Sequence, residues 1–380
     1  MRHVPGLTGL RALAAGWVLV HHFNAVIGWR PLTLPLAGFE VELTPLATCG
    51  WVGVDIFFVL SGFLLARLLL DAYGAAPRAE ANREYALHRV LRVYPAYLAQ
   101  LAVLVAVAWL AGSPAGVVTW LPLHLAMLQG LSPAGNAAIN PVYWSLTVEF
   151  WFYALLPFAV AWIHRGGPEA ELRRGAAVFA ALVAAAAAWK GTMFGLGRDG
   201  PVELLDFAFR QLAGALDLFG AGLLGACAVR ALERHRGPLP RRLSGSLVAI
   251  GLAALVVLLY LLHFHVDTYW AGSPLLFAWQ PLAACACALL VAGVSLDGAL
   301  SRALFANRPV LFLGEISYSL YLWHFPVALA VAKVVPPAAD ERLYLAAAAA
   351  AAVAASVASH RLAERPFQAL RRRGARPAVG

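Results

Sequence analysis

Runs of roughly 20 apolar residues follow one another along this chain from end to end, and that repetition restricts its fold more than any other feature. A helix needs about 20 such residues to cross a hydrocarbon core about 30 Å thick. Only helices and closed barrels satisfy every backbone group in lipid, and unbroken apolar runs of this length read as helices. The runs fall at 7–28, 51–70, 93–112, 143–163, 175–191, 208–229, 246–264, 274–294, 312–335 and 341–360. They predict an all-α polytopic integral membrane protein with about ten transmembrane helices. Composition agrees: 61% of the 380 residues are hydrophobic and 13% charged, too few for the surface of a soluble chain this long.

The net charge of +9 raises the question of a nucleic-acid partner, but its distribution points to the lipid bilayer instead. Arginines gather in alternate connections. Arg78, Arg83, Arg89 and Arg92 lie in 71–92, and Arg165, Arg173 and Arg174 in 164–174. Arg230, Arg234, Arg236, Arg241 and Arg242 lie in 230–245, and Arg361, Arg365, Arg371, Arg372, Arg373 and Arg376 in the tail. Between them, 29–50 holds Arg30, while 113–142 and 265–273 hold no arginine or lysine. Because Lys and Arg favour cytoplasmic loops, both termini are expected in the cytoplasm, with the chain in the cell inner (plasma) membrane. The apolar stretch 115–131 would invert every later loop if it crossed. It is therefore expected to be re-entrant or interfacial, broken by Pro122 and carrying His124. Residues 1–366 then form one transmembrane domain and 367–380 a basic cytoplasmic tail suited to lipid headgroups.

Arg11 inside the first run, with no small-x-small pattern after His22, argues against a cleaved signal peptide. Cys49, Cys227, Cys285 and Cys287 form no C-x-x-C pair, so neither a disulfide framework nor a metal site is expected. No internal repeat is visible, which weighs against a transporter built from duplicated halves.

Polar residues inside the runs are the functional signal, since each is costly in lipid without a partner. Arg11 and His22 are eleven residues apart (22 − 11), three turns or about 16 Å along nearly one helix face. The first span thus carries a cation near its inner end and an imidazole in its outer half. Glu149 lies six residues past Tyr143, about 9 Å below the outer boundary by this count. Asp55 falls four residues into the second run, with Ser61 deeper, and Tyr318, Ser319, Tyr321 and His324 ride the ninth. Structural interhelical bonds remain the alternative for any one of these, as snorkelling does for Arg11. Arg89 and Arg92, three apart on one helix face, fit either a bidentate phosphate clamp or an ordinary positive-inside anchor.

Five ordered blocks resemble the membrane-bound acyltransferase family 3, the multi-span O-acyltransferases, over most of the chain from Gly6 to about Pro366. They are Arg11-x10-His22, GVDIFFVLSGFL at 53–64, the R-x-x-R pair Arg89/Arg92, WSLTVE at 144–149 and SYSLYLWH at 317–324. One departure is Phe150, where many relatives carry a second acidic or polar residue, so Glu149 is the carboxylate expected to act. The resemblance implies an acyl-CoA co-substrate, most often acetyl-CoA, used from the cytoplasm, with no permanently bound cofactor and no metal. The acceptor it implies is a hydroxyl of a glycan, glycolipid or glycosylated metabolite on the outer side. Some relatives carry an extra extracytoplasmic esterase-like domain; this chain is expected to resemble the stand-alone members.

On that resemblance, Arg11, Arg89 and Arg92 are expected to bind the phosphates of coenzyme A. His22 is expected to act as general base, oriented by Glu149. Asp55, Tyr318, Tyr321 and His324 are expected to support the acceptor or the thioester. Ser61 and Ser145 are either acyl carriers in a two-step relay or helix-packing hydroxyls. The competing class is a non-catalytic transporter or exporter of a glycan or lipid precursor, which would consume no acyl-CoA.

Overall fold

A computed structural model describes residues 4–36, 38–236 and 241–368. Each expected run is helical. The long helices are α1 (Pro5–Val26), α2 (Val52–Ala75) and α3 (Arg78–Leu110), followed after the short α4 (Ala115–Leu125) by α5 (Trp144–His164) and α6 (Gly167–Gly197). Next come α7 (Leu216–Arg236), α8 (Arg241–Phe264), α9 (Leu275–Ser295), α10 (Ser317–Val334) and α11 (Glu341–Ser359). Among the described residues, eight segments are long and apolar enough to cross a membrane. The long helices outside that set are α1 and α10, which carry Arg11 and His22 in one case and Tyr318, Tyr321 and His324 in the other. The chain is an all-α polytopic membrane protein.

Several boundaries differ from the expectation. Helix α3 begins at Arg78 rather than 93, so all four arginines of the preceding connection ride on it. An amphipathic first half, polar on one side, extends a helix without extending its hydropathy signal. The run at 312–335 breaks at Ile316, between a short helix Arg308–Glu315 and α10. The stretch 115–131 yields only the 11-residue α4 and a 3-10 turn at Gln129–Leu131. At 1.5 Å per residue α4 is about 16 Å long, too short to cross. An antiparallel hairpin, β1 (Thr33–Leu36) and β2 (Phe39–Glu42), lies in the connection after α1. The basic residues Arg371, Arg372, Arg373 and Arg376 of the tail lie outside the described residues.

The chain divides into two compact units, Met1–Ala76 with Ala154–Glu315, and Pro77–Tyr153 with Ile316–Gly380. In the first, the two glycines of the GVDIFFVLSGFL block explain themselves. A Cβ on Gly53 would run into the Ala14 carbonyl of α1, and one on Gly62 into the Phe219 carbonyl of α7. Small residues allow such backbone approach, which lets helices associate in lipid without a hydrophobic driving force.

The ends of this unit also sort cleanly. Arg67 pairs with Glu233 at 2.6 Å, and Glu171 accepts from Arg230 at 2.6 Å and also from Arg234. Arg230 further pairs with Asp71. At the opposite ends of these helices, His21 meets Ala47 O at 3.2 Å and Thr48 meets His263 at 3.2 Å.

In the second unit α10 packs on α11 and on α3, and the first half of α5 is tied to the same bundle. The Tyr85 hydroxyl donates to Tyr153 O at 3.1 Å and the Tyr97 hydroxyl to His124 O at 2.9 Å, joining α3 to α5 and to α4.

Candidate active site

The residues nominated from sequence divide between the units: Arg11, His22, Asp55 and Ser61 belong to the first, and Arg89, Arg92, Ser145, Glu149, Tyr318, Tyr321 and His324 to the second.

In the first unit, His22 sits half-buried on α1 with Nδ1 3.0 Å from Val18 O, one turn back. A carbonyl oxygen only accepts, so Nδ1 carries the proton. In the neutral ring Nε2 is then the lone-pair nitrogen, the form a general base needs. His21 packs edge-on against it, ring centroids 5.1 Å apart. Asp55 is 5% exposed, and its Oδ2 has no hydrogen-bond partner among the described residues. It belongs to a buried charge cluster that the sequence reading missed. Lys190 Nζ donates to Gln280 Oε1 at 2.7 Å and lies 3.8 Å from Asp217 Oδ2, while Gln280 donates to Asp217 Oδ1 at 2.9 Å. Asp55 feels the charges of Asp217, Lys190 and Arg210. The signal was present in the string: Asp217 and Lys190 each interrupt an apolar run. Ser61 lies half-buried on α2 beside the packing glycine Gly62.

In the second unit, Arg89 lies 6.0 Å from the Tyr85 ring centroid and 5.7 Å from that of Tyr153. Its Nε is buried without a hydrogen-bond partner among the described residues. Tyr153 is also close enough to the Glu149 side chain to interact with it, so one tyrosine neighbours both the nominated arginine and the nominated carboxylate. Arg92 instead donates to Glu364 Oε2 at 2.6 Å and lies 5.4 Å from the Tyr318 ring. Glu364 also accepts from Ser319 at 2.6 Å. Glu364 sits in a π-helical turn, His360–Glu364, a geometry often found at functional sites. No spacing rule in the sequence links positions 92 and 364.

Among the other nominated residues of this unit, Ser145 and Tyr321 are hydrogen-bonded to each other, while Tyr318 and His324 bond to backbone carbonyls. The Tyr321 hydroxyl lies 2.6 Å from Ser145 Oγ and donates to Val142 O at 3.0 Å, with the His324 ring 5.7 Å away. His324 Nδ1 is held by Leu320 O at 3.1 Å, and the Tyr318 hydroxyl donates to Val93 O at 2.8 Å.

The start of α5 lies deeper than a count from Tyr143 supposes. The Tyr143 hydroxyl donates to Gln100 Oε1 at 2.7 Å, and Gln100 is ten residues (110 − 100) short of the end of α3. That is about 15 Å along the helix. The chain between α4 and α5 folds back along α3, so Glu149 stands well below the end of that helix. Among the described residues no group of three or more His, Cys, Asp or Glu side chains could hold a metal.

Comparison with known proteins gives a consistent result. The acyltransferase-domain family matches residues 4–361. The chain is 29% identical over 344 residues to the putative peptidoglycan O-acetyltransferase YrhL of Bacillus subtilis, covering 86% of this chain and 49% of that protein. It is 25% identical over 346 residues to the O-acetyltransferase OatA of Staphylococcus aureus, covering 87% and 51%. It is 24% identical over 363 residues to the peptidoglycan O-acetyltransferase OatA of Listeria monocytogenes, covering 88% and 51%. The chain thus spans about half the length of the curated relatives it matches. No solved structure matches it.

Proposed function

Since the chain belongs to the acyltransferase 3 family, whose match takes in residues 4–361, we propose that it is an acyl-CoA-dependent O-acetyltransferase of the cell inner membrane. Its acceptor is a hydroxyl of a cell-envelope glycan, with peptidoglycan first in line because two of the relatives carry that word in their names. The observation that carries the reading is the His22 ring, whose Nδ1–H is committed to Val18 O. Nε2 of the neutral ring takes the acceptor hydroxyl's proton as the oxygen attacks the thioester carbonyl. The C–S bond breaks, the ester forms, and the thiolate of coenzyme A leaves and is protonated. Base assistance of this kind contributes about 10²–10⁴-fold.

Arg11, Arg89 and Arg92 hold the donor's phosphates. The buried, unpartnered Nε of Arg89 supports this, because a purely structural arginine would have that donor satisfied. Glu149 steadies Tyr153 beside Arg89, and Ser145, Tyr321 and His324 serve the acceptor side.

Membranes carrying the wild type or His22→Gln at matched abundance, given labelled acetyl-CoA and peptidoglycan, test the reading. Release of free CoA together with labelled O-acetyl glycan in the wild type alone is the expected outcome. A wild type that moves glycan but consumes no donor would be a transporter.

A further inference from the structure

The turn between α4 and α5 holds an unusual set of buried groups. His124, Gln129 and Asn140 are each fully buried, and each commits one ring or amide nitrogen to a backbone carbonyl. His124 Nδ1 is 2.9 Å from Trp120 O, Gln129 Nε2 donates to Tyr143 O at 3.5 Å, and Asn140 Nδ2 donates to Leu322 O at 3.2 Å. Carbonyls only accept, so these bonds set the imidazole tautomer and both amide orientations. Each side chain is left with an acceptor, His124 Nε2, Gln129 Oε1 and Asn140 Oδ1, and the two amides each keep a second N–H beside it. All three acceptors lack a partner among the described residues.

They gather on one residue. The His124 ring is 6.0 Å from the Tyr143 ring, Gln129 bonds the Tyr143 carbonyl, and the Tyr143 N–H donates to Asn140 O at 3.0 Å. Neighbouring Gln100 shows what ordinary packing does here: its amide nitrogen donates at 2.6 Å and its oxygen accepts at 2.7 Å. Between His124 and Gln129, buried Met127 adopts φ 54°, a left-handed conformation rare for a side chain of its size. Trp151 Nε1 donates to its carbonyl at 3.0 Å and holds that turn. The Met127 N–H donates to His124 O at 3.1 Å and the Leu128 N–H to Leu123 O at 2.8 Å, so this left-handed residue caps α4 and fixes His124 at its end.

Buried acceptors without donors destabilise a protein until something donates to them. Their chemistry selects the ligand. A phosphate is anionic and only accepts, so three neutral groups that each present an acceptor and carry no positive charge suit it poorly. Neutral acceptors beside amide N–H groups match the hydroxyls of a polyol, which both donate and accept. Burial lowers the His124 pKa and keeps the ring neutral, so it remains an acceptor. We propose that His124, Gln129 and Asn140, gathered on Tyr143, form the subsite that binds the hydroxyls of the sugar acceptor. The assignment of that sugar as acceptor rests on the acyl-transfer reading. The cluster adjoins the nominated residues, because Val142, next to Tyr143, is the residue whose carbonyl holds Tyr321.

The test uses the full chain purified in detergent and an N-acetylglucosamine–N-acetylmuramic acid disaccharide as probe, with binding measured separately from CoA release. Gln129→Met and Asn140→Leu remove one acceptor each at similar volume. Each is expected to raise the disaccharide Kd about 3–10-fold, and the pair about 10–100-fold, with acyl-CoA binding unchanged. Unchanged acyl-CoA binding also certifies the fold; should either variant lose it, His124→Phe, which removes the ring acceptor at similar volume, replaces it and is expected to raise the disaccharide Kd about 3–10-fold. Variants that bind the disaccharide like the wild type, or a wild type that does not bind it, overturn the subsite. CoA release decides the other question. Acyl transfer with unaffected variants removes the subsite and leaves the enzyme, whereas disaccharide binding lost in the variants without donor consumption leaves the subsite and removes the enzyme.

Discussion

Glu364→Gln, read with Arg92→Met in a double-mutant cycle, is the sharpest probe of the second unit. The Glu364 side chain is 1% exposed and that of Arg92 16%, so solvent screens the pair weakly. Its 2.6 Å bond to Arg92 and the 2.6 Å bond from Ser319 satisfy both carboxylate oxygens. Removing one partner of such a buried pair costs about 3–5 kcal/mol, chiefly because the other charge is stranded. Glutamine keeps an oxygen for Ser319 and loses only the charge, so about 2–3 kcal/mol is expected, at or below the low end of that range. Alanine also loses a hydrogen bond to a charged group, itself about 1.5–3 kcal/mol, and should reach the upper end. Replacing Arg92 alone strands Glu364, whose remaining cationic neighbour would be His360, 3.5 Å away when protonated. The double variant strands neither charge, so its loss should fall short of the sum of the single losses by about 2 kcal/mol. Unfolding of the detergent-solubilised protein by increasing SDS measures all four corners. A coupling energy below about 0.5 kcal/mol would mean the pair behaves as an exposed salt bridge, and the account of this turn would fall.

Other expectations follow from single contacts. Arg89→Ala should raise the KM for acyl-CoA at least about tenfold while leaving unfolding unchanged, and Arg89→Lys should recover only part of it, because an ammonium cannot reproduce the planar fork; equal KM values for all three proteins would reassign Arg89 to packing. Gly62→Ala should cost about 1–3 kcal/mol, since its methyl meets the Phe219 backbone, whereas Gly225→Ala, whose methyl meets Phe63 at an ordinary 3.5 Å, should be near neutral; thermal denaturation of both compares them directly. His124 has its pKa lowered by burial from 6.5, so the unfolded chain binds its proton first as pH falls. The wild type should therefore lose stability as pH drops through about 6.5 toward the folded value, and His124→Gln should show a shallower loss in that window; parallel slopes would refute the burial argument.

The sequence by itself determined the membrane class, the helical runs and the alternation of their connections, because hydropathy over about 20 residues and arginine placement are local quantities. It also determined that a family block contains Gly53 and Gly62, though not why. It singled out Arg11, His22, Asp55 and Glu149 because an ionisable group in an apolar run is conspicuous wherever it later packs. It missed the first half of α3, where polar residues on one side mask a continuing helix, and it counted depth from Tyr143 as though α5 began at the surface. Partners were beyond its reach. Nothing local joins Arg92 to Glu364, Lys190 to Asp217, or Gln129 and Asn140 to Tyr143 and Leu322. The tertiary structure alone decided which polar groups are satisfied and which keep a buried acceptor without a partner among the described residues. Hydrogen bonds are short and directional, so satisfaction depends on side chains from separate helices meeting within about 3 Å. That meeting depends on packing, which a single helix pattern does not encode.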